Sequence, residues 1–501
     1  MDKIVHLHAD DNVVVSLEGI RKGQILEIQS RDKGLLQIKA REDVGKGHKM
    51  LIRPVQQEGD IIKFGYSIGK AKENIDVGEW VHTHNLQSGL EGILNYSYQP
   101  SIPTMETESP SQTFQGYIRD NGEAGIRNEI WIINTVGCIN KTCEVLAKMG
   151  NEQYKDRQID GIYHFPHPYG CSQLGDDLSH TQKLLAALAQ HPNAAGVLIV
   201  GLGCENNQIE AFKQVIGDFP PNRIKFLKAQ EVNDELEMGL RLIGELVEYA
   251  EGFQRVPVPV SKLKIGLKCG GSDGFSGITA NPLVGEVSDL IVENGGTTIL
   301  TEVPEMFGAE TILMNRAKDE ETFHKIVNLV NDFKQYFMRH DQEIYENPSP
   351  GNKEGGISTL EEKSLGCTQK GGHASVVDVS AYGERIVKPG LNLINSPGND
   401  LVSVTALAAA GAHIVLFTTG RGTPFGGPVP TVKIATNTEL ANRKKHWIDY
   451  NAGQLMEGHS MNELKEDLFQ FILELSSGRK ETNNEKFGYR EISIFKEGVI
   501  L

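Results

Sequence analysis

His82-Thr83-His84-Asn85 carries the densest chemistry in the first hundred positions. If these residues continue the strand predicted at Trp80-Val81-His82, both imidazoles project from one face, because side chains i and i+2 share a side of a strand. Two such rings reach one metal ion, with Asn85 as a further oxygen ligand or a substrate donor; a pair of surface histidines at a strand end is the plainer alternative. Cysteines beside glycines at predicted strand ends form a second set: Cys138, Cys171, Cys204 (followed by Glu205) and Cys269 (followed by Gly270-Gly271-Ser272-Asp273-Gly274). Parallel α/β sheets bind ligands outside the carboxyl ends of their strands. The four thiols are therefore expected at one rim, although cysteine is also a common small core residue. No CxxC pair occurs, which argues against structural zinc.

Three glycine-rich loops could clasp an anion. They are Gly125-Ile126-Arg127-Asn128, the run Asn347–Gly356 (too rich in turn residues for a helix) and Gly420–Gly427. An arginine hemmed by glycines has room for a bidentate carboxylate contact, and the loop exposes backbone N–H groups. Arg127, Asn128, Lys353, Arg421 and Thr423 are the candidate substrate contacts. Glu302 and Glu305 sit at another predicted strand end, where a carboxylate is a base, a metal ligand or an ordinary helix N-terminal charge. Nucleotide chemistry finds little support. Gly201-Leu202-Gly203 lacks the third glycine of a dinucleotide fingerprint, since position 206 is Asn. Gly65–Lys70 is one residue short of a phosphate loop, and Ala71 replaces its hydroxyl.

These residues must be positioned by a large chain. Its 501 residues suggest about three domains. With 39% hydrophobic and 23% charged residues the composition is that of a globular protein. Fifty basic against 66 acidic residues give a net charge of −16, which argues against nucleic acid as a partner. No apolar run approaches the length of a membrane span, the N-terminus lacks an apolar signal core, and six dispersed cysteines do not make a disulfide scaffold. A reducing cytoplasm is the expected compartment.

Short strand candidates at Val13–Val15, Ile61–Phe64 and Trp80–His82, separated by turns, predict a small β domain over 1–97. Residues 98–115 have linker composition. From 116 to 254 short apolar strands (Ile130–Ile133, Val197–Val200, Ile224–Leu227) alternate with helices (Leu178–Gln190, Asn233–Ala250), and Arg255–Pro259 breaks the chain. A second α/β stretch fills 255–501, with strands at Lys264–Leu267 and His413–Thr418 and a long helix near 320–339. The fold class is α/β: a β-rich N-terminal domain, then a Rossmann-like body with mostly parallel sheets.

With the motifs above, and with the 347–356 run NPSPGNKEGG and Leu365-Gly366-Cys367, the chain resembles the altronate and galactarate dehydratase family of sugar-acid hydro-lyases over nearly its whole length. The resemblance implies that the first domain is of the SAF kind and that a divalent cation is required, iron(II) first and manganese second. It implies dehydration of D-altronate to 2-dehydro-3-deoxy-D-gluconate in hexuronate catabolism, with galactarate as the other family substrate. In such a reaction the C2 proton and the C3 hydroxyl leave, and the enol becomes a 2-keto-3-deoxy acid. The C2 proton is weakly acidic and hydroxide leaves poorly, so a clamp for the carboxylate, a Lewis acid and a positioned base are needed.

Roles follow. His82, His84 and Asn85 contact metal or hydroxyl; Cys171, Cys204 and Glu205 complete the metal site; Arg127, Asn128, Lys353, Arg421 and Thr423 hold the substrate; Asp273 or Glu302 carries the proton. Other readings are a sulfolactate sulfo-lyase-like enzyme, an iron–sulfur dehydratase using three cysteines, and a non-catalytic sugar-acid sensor. The expected partner is a small sugar acid, and a homo-oligomer stays open.

Overall fold

The computed structural model describes residues 4–30, 34–102 and 112–500. Val13–Ser16, Asp60–Lys63 and Trp80–Val81 are strands, as the sequence predicts, in a domain of short antiparallel strands. The Trp80 strand ends at Val81, however, and His82–Asn85 turns back on itself: the Asn85 and Leu86 N–H groups both donate to the His82 carbonyl. The shared-face premise for His82 and His84 therefore fails. One apolar cluster of this domain, including Val13, Leu51, Ile61, Ile68 and Val81, is completed by Ala309 and Leu365 from the far end of the chain.

Half of the expected linker, 103–111, lies outside the described residues. Its end does not: Thr113–Ile118 is a strand, antiparallel to Arg255–Pro259. The segment read as a chain break is thus the partner of the segment read as a linker. Pro257 and Pro259 are tolerated because this is an edge strand.

The second unit carries a parallel sheet in the order Ile162–His164, Glu129–Asn134, Ala194–Gly201, Ile224–Lys228. The third is built on seven parallel strands, ordered Val376–Ser380, Gly390–Ile394, Thr297–Leu300, Lys264–Cys269, Ile414–Thr419, Thr431–Ala435 and Tyr450–Asn451. Strands buried on both faces read as unbroken apolar runs, and Ile414–Thr419 is buried at every position.

Two of the sequence's glycine clusters are explained by docking. A Cβ on Gly274 would lie 2.0 Å, and one on Gly356 2.4 Å, from the Gly47 carbonyl oxygen. Both bare backbones let the N-terminal domain seat directly on the body.

Candidate active site

Strand ends bring the chemistry together. The Lys264–Cys269 strand delivers Lys268 and Cys269 at its carboxyl end; the neighbouring Thr297–Leu300 strand leads to Glu302, in left-handed backbone (φ 69°), and to Glu305 in a short 3-10 turn. The Leu360–Thr368 helix supplies Lys363 and Cys367, which face one way because residues i and i+4 share a helix side. Lys370 follows in the next turn.

That helix is buried over all nine residues although it reads LEEKSLGCT. Each charge has its own partner. Glu361 accepts from the Gly89 N–H and Ser88; Glu362 accepts from Lys49 and Lys63, each at 2.8 Å; Lys363 donates to Glu305 at 2.9 Å. A helix with polar residues all round is normally exposed. This one binds a different element on each face.

At the centre, Cys269 Sγ and Cys367 Sγ lie 3.1 Å apart as free thiols, with Glu305 Oε2 3.1 Å from Cys367 and 3.6 Å from Cys269. Lys370 Nζ donates to Cys269 Sγ at 2.9 Å and pairs with Glu302 at 3.2 Å; Lys268 also pairs with Glu302. The Cys367 hydrogen bond, aided by Lys370, brings the Cys269 thiol down to about 6. The same bond and burial push Cys367 well above the usual thiol range. Burial and the Cys269 charge raise Glu302 to about 8. For Glu305 burial is outweighed by Lys363, which holds it far below the usual carboxylate range; Lys363 in turn is raised to about 12 and stays cationic.

Cys269, Glu305 and Lys363 border a cavity of about 650 Å³, also lined by Asn347, Asn352 and Asp400. The liganding atoms of Cys269, Glu305 and Cys367 all fall within 4.8 Å of one another, a group able to hold a metal ion. Two sulfurs and one carboxylate suit a thiophilic divalent ion such as iron(II) better than manganese, which prefers oxygen.

The sequence-predicted residues scatter. His82 is buried, its Nδ1 2.9 Å from Ser358 Oγ, and His84 is exposed; both rings lie against Trp80. The Asn85 side chain spans the turn, donating to the Trp80 carbonyl and accepting from the His82 N–H. Cys171 and Cys204 are exposed at the rim of the second sheet, not with the histidines. Glu205 is spent internally on Thr135 and the Leu202 and Gly203 N–H groups.

Arg127 is no free clamp: it is buried against Glu485, its Nε 2.7 Å from the carboxylate, and bonds the Ile126 and Leu475 carbonyls. Asn128 is likewise tied to Ala250, Gln158 and Arg119. Asp273 is held by Ser276, Thr436 and Asn437. Arg421 is exposed and pairs with Glu354, so two of the three glycine-rich loops do meet there; Thr423 accepts from the Phe425 N–H. Lys353 is half-buried on a short helix, Pro350–Glu354, where the sequence predicts only a loop. Pro350 at the first helical position and Ser349 as cap, reciprocated by Asn352, start that helix. Glu302 belongs to the cluster but does not line the cavity, whereas Glu305 does. Cys367, Lys363 and Lys370 were missed as chemistry because their helix shows no amphipathic pattern.

Fold and site define a multidomain α/β enzyme with a buried thiol–carboxylate–amine cluster beside a polar cavity. Residues 2–89 match the model of the altronate/galactarate dehydratase SAF domain. Residues 116–251 match the second domain of D-galactarate dehydratase/altronate hydrolase, and 260–500 the C-terminal domain of D-galactarate/altronate dehydratase. The chain is 51% identical to an altronate dehydratase of Bacillus subtilis (strain 168) over 503 residues, all of both chains. It is 50% identical to one of Escherichia coli (strain K12), over 99% of each. A galactarate dehydratase (L-threo-forming) of the same Escherichia coli strain is 32% identical, over 98% of this chain and 96% of that one. The chain belongs to the altronate/galactarate dehydratase family and is a hydro-lyase.

Proposed function

We propose that the enzyme dehydrates D-altronate to 2-dehydro-3-deoxy-D-gluconate. The cavity at Cys269, Glu305 and Lys363 carries this reading, because it sets a fixed cation, amide donors and a carboxylate around space for one small sugar acid. Lys363 takes the substrate carboxylate and holds the charge that develops on it. Asn347 and Asn352, already bonded to Lys363 at 3.0 and 3.3 Å, bind hydroxyls. Asp400 lines the cavity and keeps about a third of its side chain in solvent. It accepts the C2 proton.

Cys269, Glu305 and Cys367 would hold a divalent cation, iron(II) before manganese. When bound, that ion supplies a Lewis acid for the departing C3 hydroxyl. Full-length similarity near half identity to two altronate dehydratases, against 32% to a galactarate dehydratase, favours the aldonate. No helix among the described residues is long and apolar enough to cross a membrane.

The test is kcat/KM for altronate and galactarate under one metal, with formation of a 2-keto-3-deoxy acid as readout. A preference for altronate is expected, on the order of 10⁴ if a polar group of the site is left unpaired by the wrong acid. A preference for galactarate overturns the substrate and keeps the reaction; no turnover of either with metal supplied overturns both.

A further inference from the structure

A second set of thiols lies away from the cavity cluster. The strands Ile162–His164, Glu129–Asn134 and Ala194–Gly201 are neighbours and parallel, and the loop leaving each carries one exposed free cysteine: Cys171, Cys138 and Cys204. Cysteine is among the most buried residue types, and the other three of this chain are buried. Three exposed thiols on adjacent loops need a reason.

The loops are locked together. A Cβ on Gly170 would lie 1.9 Å from the Thr135 carbonyl oxygen, and one on Gly137 2.7 Å from that of His167, so glycine lets these backbones touch. The Gly137 N–H donates to Tyr169 O at 2.8 Å, Asn207 N–H to Gly170 O at 3.0 Å, and Ser172 N–H to Asn206 Oδ1 at 2.8 Å. Ser172, next to Cys171, is held at φ 57°, a conformation unfavourable for a non-glycine residue. An independent observation comes from the same rim: Asn134 Oδ1 at the strand end and Gln173 Nε2 and Asn207 Oδ1 in the loops are buried polar atoms with no hydrogen-bond partner, on side chains no more than 1% exposed. Buried polar groups are nearly always hydrogen-bonded, so three unpartnered ones at one rim are free to bind a ligand there.

We propose that Cys138, Cys171 and Cys204 are the protein ligands of an iron–sulfur cluster on this rim. Sulfur-only donors select iron–sulfur clusters, zinc or copper(I). One tetrahedral ion with metal–sulfur bonds of about 2.3 Å needs its sulfurs about 3.8 Å apart. Among the described residues the group that close-packs its ligand atoms within 4.8 Å is Cys269, Glu305 and Cys367, not this trio. A polynuclear cluster instead takes one thiolate from each of several loops around it, and these three hydrogen-bonded loops supply one each. Two ferrous and two ferric ions, four sulfides and three thiolates combine without electron transfer, the three thiol protons leaving to solvent. Three thiolates leave one iron of a four-iron cube without a protein ligand, open to a water or substrate oxygen.

The rim adjoins usable space. A cavity of about 800 Å³ begins at Leu174 and Gly175, just beyond Cys171, and shares Phe333 and Tyr336 with the cavity at Cys269 and Glu305. The proposal does not depend on which sugar acid the enzyme takes.

The experiment is anaerobic reconstitution of the full chain with ferrous and ferric iron and sulfide, followed by desalting. Iron, acid-labile sulfide and visible absorbance are measured for wild type, Cys138→Ser, Cys171→Ser, Cys204→Ser and Cys269→Ser. Wild type and Cys269→Ser are expected to hold about four sulfides per chain with a broad visible band, and each rim variant to lose most of both. Sulfide is decisive, because a single bound ion carries none. Circular dichroism shows that the rim variants, altered only at exposed positions, remain folded. A wild type that retains no sulfide, rim variants that retain as much as wild type, or a loss confined to Cys269→Ser overturns the assignment.

Discussion

Lys49 of the N-terminal domain and Glu362 of the Leu360–Thr368 helix meet at 2.8 Å, with at most 2% of either side chain exposed. Lys63 reaches the other oxygen of the same carboxylate at 2.8 Å. The next residue, Lys363, turns the opposite way to Glu305 and the cavity. One helix therefore joins the seat of the small domain to the chemistry.

Glu362→Gln leaves two buried ammonium groups without a countercharge. Removing one partner of a buried pair costs about 3–5 kcal/mol. The variant should unfold at lower urea concentration and release the N-terminal domain to protease before the body. Cleavage kinetics and a urea midpoint equal to wild type would count against this role.

Arg127 is a structural tie between the start of the second unit and Glu485. Arg127→Met is expected to lower stability by about 3–5 kcal/mol while leaving KM for the substrate within about twofold in whatever fraction remains folded. A tenfold rise in KM at unchanged stability would restore the sequence-based reading of Arg127 as a carboxylate clamp.

Asp400→Asn should lower kcat on the order of 10²–10⁴, the usual worth of a positioned base, with KM little changed. Solvent deuterium exchange into C2 of the substrate should fall with it. Exchange at the wild-type rate in an otherwise slow variant would remove Asp400 from the proton transfer.

Lys363→Met should raise KM and lower kcat together, by about 10²-fold or more in kcat/KM, since the charge-assisted contact to the carboxylate is lost in the ground state and the charge developing on it in the transition state loses more. Lys363→Arg should recover part of it. Equal kcat/KM in Lys363→Met and wild type would place the carboxylate elsewhere.

His413 and His191 set an acid limit. Each ring takes a backbone N–H at Nδ1 (from Lys264 and Asn193) and faces a carbonyl at Nε2 (Ala124 and Ala412), so the neutral tautomer is fully satisfied. Burial lowers His413 from 6.5 to about 4 and His191 well below 6.5. The unfolded state then binds more protons. Their stabilisation is complete above about pH 6.5 and is lost as pH falls towards 4, by about 3 kcal/mol for His413. Urea unfolding from pH 8 to 4.5 measures it; a flat profile would contradict the burial argument.

Local pattern decided much in advance. The runs at Ile130–Ile133, Val197–Val200 and His413–Thr418 declared a parallel α/β body because strands buried on both faces must be apolar throughout. The long helix, Glu320–Arg339, was legible in the sequence. Cys269 ends its strand as the sequence predicts, while Cys138, Cys171 and Cys204 lie in the loops beyond theirs. Only the tertiary structure decided that they divide between two sheets and that Cys269 meets Cys367 rather than the others. His82 and His84 were misread because a two-residue spacing means one face only while the strand continues, and the turn after Val81 is closed by Asn85 and by the contact of His82 with Ser358. The charged partners of Glu362 and Lys363, namely Lys49, Lys63 and Glu305, stand more than fifty residues away in sequence. A pattern of neighbours carries no trace of such pairings, since what makes this charged helix a core element is the countercharge each face finds only after folding.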